Sequence, residues 1–308
     1  MKRPGLDASL DQAASHGLRP PETVGFLLVP DFSMLSFSSA MEPLRAANRM
    51  SGRRLYEWRV LSPDGRAIRA SSGTLVLPDA GLLENQRLDR IAVVAGLDAQ
   101  TFDDKAVFGW LRRQARLGAR VGAISTASYV LARAGLLNGS RCTIHWENLH
   151  GFMEDFPDLD VTSELFEIDG ARFTCSGGTA AIDLMLQLIG LQHGRELATQ
   201  VAEQFIHERI REAHDKQRMA LRTRLGISHP KLIEVVGLME SHLDEPLGRE
   251  ELAREGKLST RQLERLFRRY MGCTPTRYYL ELRLQRARQL LEQTTLPVLD
   301  VGLACGFV

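Results

Sequence analysis

The stretch Val121-Gly122-Ala123-Ile124-Ser125-Thr126-Ala127-Ser128-Tyr129 passes from a short apolar run straight into helical spacing, with a serine at the joint. The run reads as a buried strand, and Thr126 to Ala134 as a helix. A residue on so tight a strand-to-helix turn stands above the sheet edge beside helix N–H groups. That arrangement activates a nucleophile or cradles an anion. The same alternation recurs on both sides. Val24 to Val29 and Ile91 to Ala95 are further buried-strand runs, while Met34 to Asn48 and Asp103 to Leu117 carry helical spacing. Tyr56 to Leu61 and Thr74 to Leu77 read as strands, with a Ser-Pro-Asp-Gly turn at 62–65. Alternation of this kind predicts an α/β fold with a doubly wound, largely parallel sheet and helices on both faces.

After about Gly194 the strand signals stop. Glu196 to Arg218 reads as one long charged helix that couples two parts and helps to dimerise them, and Leu221 to Pro230 as a linker. The expected organisation is a mobile tail over 1–22, a sheet domain over 23–193, a coupling helix and linker over 194–230, and an all-α domain over 231–308. The 308 residues suit about two domains of ~150 residues. Apolar residues at 44% and charged residues at 25% exclude collagen, general disorder and a disulfide scaffold. No apolar run approaches the ~18 residues of a membrane span, so no membrane partner is expected. The first twenty residues contain no continuous apolar core and are no secretory signal. Cys142, Cys175, Cys273 and Cys305 lie far apart without a C-x-x-C pair. That pattern fits reduced thiols in a cytoplasmic protein and offers neither a metal motif nor a cofactor.

The all-α part contains Arg249 to Gly272, REELAREGKLSTRQLERLFRRYMG. Leu252 and Ala253 are apolar on a first short helix, and Gly256-Lys257-Leu258 forms a turn. Ser259 is placed as N-cap, with Gln262 completing a capping box. Leu263, Leu266, Phe267 and Tyr270 form one buried stripe. Arg261, Glu264, Arg265 and Arg268 lie on the opposite face. Two short helices joined by a tight turn, the second basic on its outer face, suit a major groove. From Lys257 to Leu290 nine basic residues oppose Glu264 and Glu281, a local balance of +7 within a chain of net charge +1. Such a patch releases counterions from a phosphate backbone. A solvated amphipathic helix pair is the plainer reading.

Gly272 to Leu291 follows G-x-x-P-x-x-Y-x-x-x-x-R-x-x-x-A-x-x-L-L and resembles the AraC/XylS family of bacterial transcription regulators. The resemblance implies that this segment links two helix-turn-helix units. The second begins at Val298 and is incomplete, its recognition helix absent before Val308. It also implies that Arg261, Glu264 and Arg265 read bases, while Thr260, Gln262 and Arg268 contact phosphates. One departure stands at the first turn. The family's glycine position holds Lys257, with Gly256 one residue early, and a lysine in a left-handed turn costs about 1 kcal/mol.

A second resemblance covers Val24 to Leu191, which is similar to the class I glutamine-amidotransferase-like domain of the PfpI type, a flavodoxin-like fold. It rests on Phe26-Leu27-Leu28, Glu42 to Asn48, Ala132 to Leu137, His145-Trp146-Glu147 and Ser176 to Ala180. Domains of this type precede the DNA-binding part in one AraC subgroup, and the chain is similar to regulators responding to glycine betaine, carnitine or arginine. Ser125 with His145, twenty residues on, forms a candidate catalytic pair, so a PfpI-like hydrolase or hydratase using Ser125 stands as the alternative. Catalytic members place cysteine at the elbow and an acid in the first loop. Here Ser125 and Ser36 occupy those places, and a serine without an ionised neighbour is a poor nucleophile. The resemblance therefore implies a sensor without catalytic residues, acting as an activator of quaternary-amine or amino-acid catabolism. Its implied partners are promoter DNA, RNA polymerase, a small effector (glycine betaine, carnitine or a basic amino acid) and a second copy as homodimer. In the expected effector site, either the N–H groups at Ser125 and Thr126 or the Ser176-Gly177-Gly178 turn holds a carboxylate. Trp146, Tyr129 or Phe32 faces the cation and Glu42 adds a negative charge, with the His145-Trp146 pair as the leading ligand-binding candidate.

Overall fold

Glu22–Leu28 forms β1, and Val24 to Leu28 is buried throughout, as an unbroken apolar strand covered on both faces must be. A computed structural model describes residues 20–82 and 87–307. Most of the tail expected over 1–22 lies outside the described residues. After β1 come α1 (Met34–Ser51), β2 (Tyr56–Leu61), β3 (Ile68–Arg69), β4 (Leu75–Val76), β5 (Arg90–Val94), α2 (Lys105–Arg116), β6 (Arg120–Ile124) and α3 (Ser128–Arg133). β7 (Arg141–Thr143), α4 (Leu149–Asp155), β8 (Asp160–Thr162), β9 (Phe166–Asp169), β10 (Arg172–Cys175), α5 (Ala180–His193) and α6 (Arg195–Gln204) complete the α/β body.

The main sheet runs β2-β1-β5-β6-β10-β9. All neighbours are parallel except the β9–β10 hairpin at one edge. Alternating side chains of β1 divide between the two faces. Phe26 and Leu28 join α1, α5 and α6 in one core, and Leu27 and Val29 join α2, α3 and α4 in the other. Register brings Leu28, Val94, Ile124 and Cys175 level across four strands. The carboxyl ends of β1, β5, β6 and β10 thus share one edge, where open α/β sheets place their ligands.

The long helix expected over Glu196 to Arg218 does not form. α6 ends at Gln204, and Ile206 turns with φ 56°. The cause is Asp183 of α5, whose fully buried carboxylate accepts from the Arg211 backbone N–H at 2.7 Å, from Arg211 Nε at 2.9 Å, and lies 2.8 Å from His207 Nε2. A carboxylate without solvent needs such partners, and supplying them pulls the chain off the helical path. Farther on, the Gln217 amide donates to the carbonyls of Ile144 and Glu164. Residues 205–217 are therefore a strap on the α/β body. Ala198, Val201 and Ala202 bury α6 in the core of α1 and α5, so α6 packs on the sheet layer instead of bridging to a second body.

The expected linker over Leu221 to Pro230 contains a short helix, α7 (Leu221–Leu225). The rest is helical: α8 (Pro230–Ser241), α9 (Arg249–Glu255), α10 (Thr260–Met271), α11 (Pro275–Gln293) and α12 (Val298–Ala304). Leu232, Val235, Val236, Leu252, Leu263, Phe267 and Tyr279 form its core. Among the described residues no helix is long and apolar enough to cross a membrane, and no group of three potential ligands could hold a metal ion.

Candidate functional site

α9 and α10 form a helix-turn-helix. The Ser259 N–H donates to Gln262 Oε1 at 2.8 Å and the Gln262 N–H to Ser259 Oγ at 3.2 Å, the reciprocal box that starts α10 at this point. Lys257 lies in the left-handed region at φ 51°. Gly256 just before it has φ −72°, and its small size serves packing: a β-carbon there would come within 2.5 Å of Val235. Leu263 and Phe267 are buried and Leu266 half-buried. Tyr270, expected on the same stripe, is 41% exposed because the last turn of α10 runs past the core edge. Its ring lies 5.7 Å from that of His229.

Arg261, Gln262, Arg265, Arg268 and Arg269 are exposed on one face of α10. Thr260 is half-buried at its start, and Glu264 bonds Arg249 Nη1 at 3.1 Å. The patch is smaller than the sequence count of nine. Arg277 pairs with Glu281 and Arg288 with Glu292. Arg283 donates to the Cys305 and Gly306 carbonyls. The open cationic surface is thus α10 itself, with Gln262 committed to its cap.

On the α/β body, Ser125 occupies the elbow after β6 with φ 67° and is 7% exposed. A non-glycine residue held there stores about 1–3 kcal/mol. Gly177, at φ 90°, closes the back of the elbow: a β-carbon on it would lie 2.6 Å from Ser125 Cβ. Thr126 Oγ1 donates to the Gly96 carbonyl at 2.5 Å, tying the elbow to the loop after β5. In front lies a cavity of about 320 Å3 lined by Ser33, Ser71, Gly96 to Asp98, Gln100, Ser125, Thr126 and His145 to Asn148 (Trp146 excepted). Glu292 and Gln293, the last two residues of α11, close it from the helical region. Burial holds the His145 imidazole below its usual value, offset in part by the Glu147 carboxylate 3.6 Å from Nδ1.

Ser125, Thr126 and His145 therefore meet in one cavity, and several other expected residues do not join them. Ser125 Oγ makes no hydrogen bond to His145 among the described residues, so the candidate catalytic pair is unformed. Trp146 turns to the opposite side of its loop, where the Arg218 guanidinium stacks 4.4 Å from its ring centroid. Its aromatic face is thereby occupied by the chain's own cation. Glu42 lies outside the cavity on α1 and pairs with Arg45 at 2.7 Å. The Ser176–Gly178 turn is no open cradle. The Ser176 N–H bonds the Leu165 carbonyl, the Gly177 N–H meets Cys175 Sγ, and the Gly178 N–H bonds Ser36 Oγ. Tyr129 and Phe32 are fully buried core. Sequence reasoning missed Asp98, Glu147, Glu292 and Gln293. Asp98 was open to detection, since Gly96-Leu97-Asp98 follows β5 as Ser125 follows β6. Glu292 had no local signal.

An α/β body with a cavity at its strand ends, joined to a helix-turn-helix with an open basic helix, defines a DNA-binding regulator. The DJ-1/PfpI family matches residues 22–191, and a helix-turn-helix domain matches residues 252–308. The chain belongs to the AraC-type helix-turn-helix transcriptional regulators that carry a DJ-1/PfpI domain. It is 50% identical over 290 residues to the HTH-type transcriptional regulator GbdR of Pseudomonas aeruginosa, covering 94% of this chain and 79% of that one. It is 52% identical over 282 residues to the HTH-type transcriptional regulator CdhR of the same species, covering 92% and 84%. The crystal structure of an AraC family transcriptional regulator from Pseudomonas putida superposes with a TM-score of 0.55 at 30% identity, covering 60% of this chain and all of that one.

Proposed function

We propose that the chain senses a small zwitterionic metabolite in the elbow cavity and adjusts the hold of α10 on promoter DNA. Arg261, Arg265 and Glu264 read bases; Thr260, Arg268 and the Nε2 of Gln262, whose Oε1 serves the cap, meet the backbone. In this reading the sensor comprises the sheet with α6 and its strap, and residues 231–308 the DNA-binding part. The protein works in the cytoplasm as a homodimeric activator that recruits RNA polymerase, in the catabolism of a quaternary amine or amino acid.

The observation that carries the proposal is the closure of the elbow cavity by Glu292 and Gln293. A ligand there touches both bodies at once, so its affinity depends on how they are arranged. That difference is what a ligand needs to shift an equilibrium. The lining suits a zwitterion. Its carboxylate meets Ser125, the Thr126 backbone N–H at the start of the helical turn and His145. Its cation meets Asp98, Glu147 and Glu292. Glycine betaine, carnitine and basic amino acids all have this form.

Catalysis is not part of this reading, because Ser125 Oγ has no base bonded to it and Ser36 cannot ionise. The strained elbow is the one observation in favour of a hydrolase or hydratase. A thermal-shift screen with betaine, carnitine, choline, arginine and lysine tests the proposal, paired with DNA binding in the presence of each hit. Stabilisation by at least one compound, weakened in Glu292→Gln, is expected. Turnover of any of them, lost in Ser125→Ala, establishes the enzymatic reading instead.

A further inference from the structure

The α/β body and the helical region meet along α4 and α11. One end of this seam closes the elbow cavity. On the other side lies a second cavity of about 430 Å3, lined by residues of both bodies. Its charges are mostly cationic: Lys216 and Arg218 come from the strap and its continuation, and Arg286 from α11. Glu240 is the single carboxylate of the lining, and both its oxygens already accept from Arg224 Nη2 at 2.8 Å.

Arg286 differs from the other arginines of α11. Arg277 and Arg288 have carboxylates and Arg283 has two carbonyls. Arg286 is half-buried and has neither a hydrogen bond nor a carboxylate within 4.0 Å among the described residues. Its charge is met only from beyond ion-pair distance, by Glu154 and Asp244, and a partly desolvated cation without a hydrogen bond is costly. In the same lining, the Arg218 guanidinium lies on the Trp146 ring, with Nη1 3.9 Å from Glu240 Oε2.

We propose that this cavity binds a small anion with a carboxylate or phosphate group, held by Arg286 together with Lys216 and Arg218, and that the anion fastens the helical region to the α/β body. A guanidinium takes either group through two parallel hydrogen bonds. Burial pushes Arg286 down to about 10, offset in part by Cys305, Glu154 and Asp244, and burial with the neighbouring Arg286 pushes His150 on the same rim down to about 4, so that His150 is neutral. The cavity is complete only when the two bodies are packed, so an occupant favours that arrangement. Such an anion acts separately from the elbow ligand and on the same seam.

Calorimetric titration of the full chain without DNA, with inorganic phosphate and with citrate at matched ionic strength, tests this. Saturable binding of either anion is expected, and which one binds assigns the source. Arg286→Gln weakens it about tenfold or more, the loss of one charge-assisted hydrogen bond. Lys216→Gln, at an exposed position, weakens it without endangering the fold. Ser125→Ala leaves it unchanged, which separates this site from the elbow. Absence of saturable binding overturns the proposal. So does equal binding by wild type and both variants, which means an adventitious ion only. Loss of DNA affinity in Arg286→Gln with anion binding intact assigns the guanidinium to the duplex and also overturns it.

Discussion

Gly151 of α4 lies against Thr294 at the foot of α11: a β-carbon at position 151 would meet Thr294 Cγ2 at 3.1 Å and the Tyr129 hydroxyl at 3.4 Å. The approach of the two bodies depends on this missing side chain. Gly151→Val forces them apart, at about 1–3 kcal/mol of overpacking. The expected outcome is a lower melting temperature and a DNA affinity that no longer responds to effector, with basal DNA binding kept. A variant that keeps the full response shows that the seam does not transmit.

Arg265 is exposed on α10 and supports no packing. Arg265→Ala leaves stability within about 0.5 kcal/mol but costs about 1–3 kcal/mol of affinity for a duplex selected by the wild-type protein. Arg268→Ala weakens binding evenly across sequences and lowers the salt slope by about one unit. Fluorescence anisotropy across a salt series separates the two roles.

Lys257 adopts φ 51° at the turn between α9 and α10. Lys257→Gly removes the steric penalty of a β-carbon in that conformation and raises stability by about 0.5–1 kcal/mol. Urea titration measures it. An unchanged or lower midpoint shows that the long side chain compensates at this turn.

His145 is held below its usual value of 6.5 by burial. The unfolded chain therefore takes up this proton at a higher pH than the folded one. Stability from this group is intact above about pH 6.5 and declines as pH falls below it. His145→Asn removes the contribution. The wild-type melting temperature is expected to drop more steeply than that of the variant between pH 7 and pH 5. Parallel curves contradict a buried neutral imidazole.

The strands that build the elbow were legible because each is an unbroken apolar run ending at a turn, as Ile91 to Ala95 and Val121 to Ile124 show. β9 and β10 were not, since four residues each with Arg172, Thr174 and Glu167 among them carry no clear period. The capping box at Ser259 follows from local chemistry, whereas the left-handed turn at Lys257 was readable only through the AraC/XylS resemblance, which places a glycine there. Trp146 was placed near His145 correctly along the chain, but which side of a loop an aromatic ring takes is decided by its partner, here Arg218. The failed helix after Gln204 has the same origin. Its sequence is helix-compatible, and the competing demand comes from Asp183, a residue of another element. Glu292 and Gln293 belong to an ordinary helix end until a distant cavity is set against them.

Ser36 Oγ accepts the Gly178 N–H at 2.7 Å and itself donates to Ser33 Oγ at 3.0 Å, inside the cap of α1. Position 36 therefore holds the Gly178 turn to the start of α1. A carboxylate at position 36 must evict a hydroxyl engaged on two sides and unseat the turn behind the elbow. The hydroxyl at position 36 is thus a structural strut between the first helix and the floor of the elbow, and any larger or charged replacement there reshapes both.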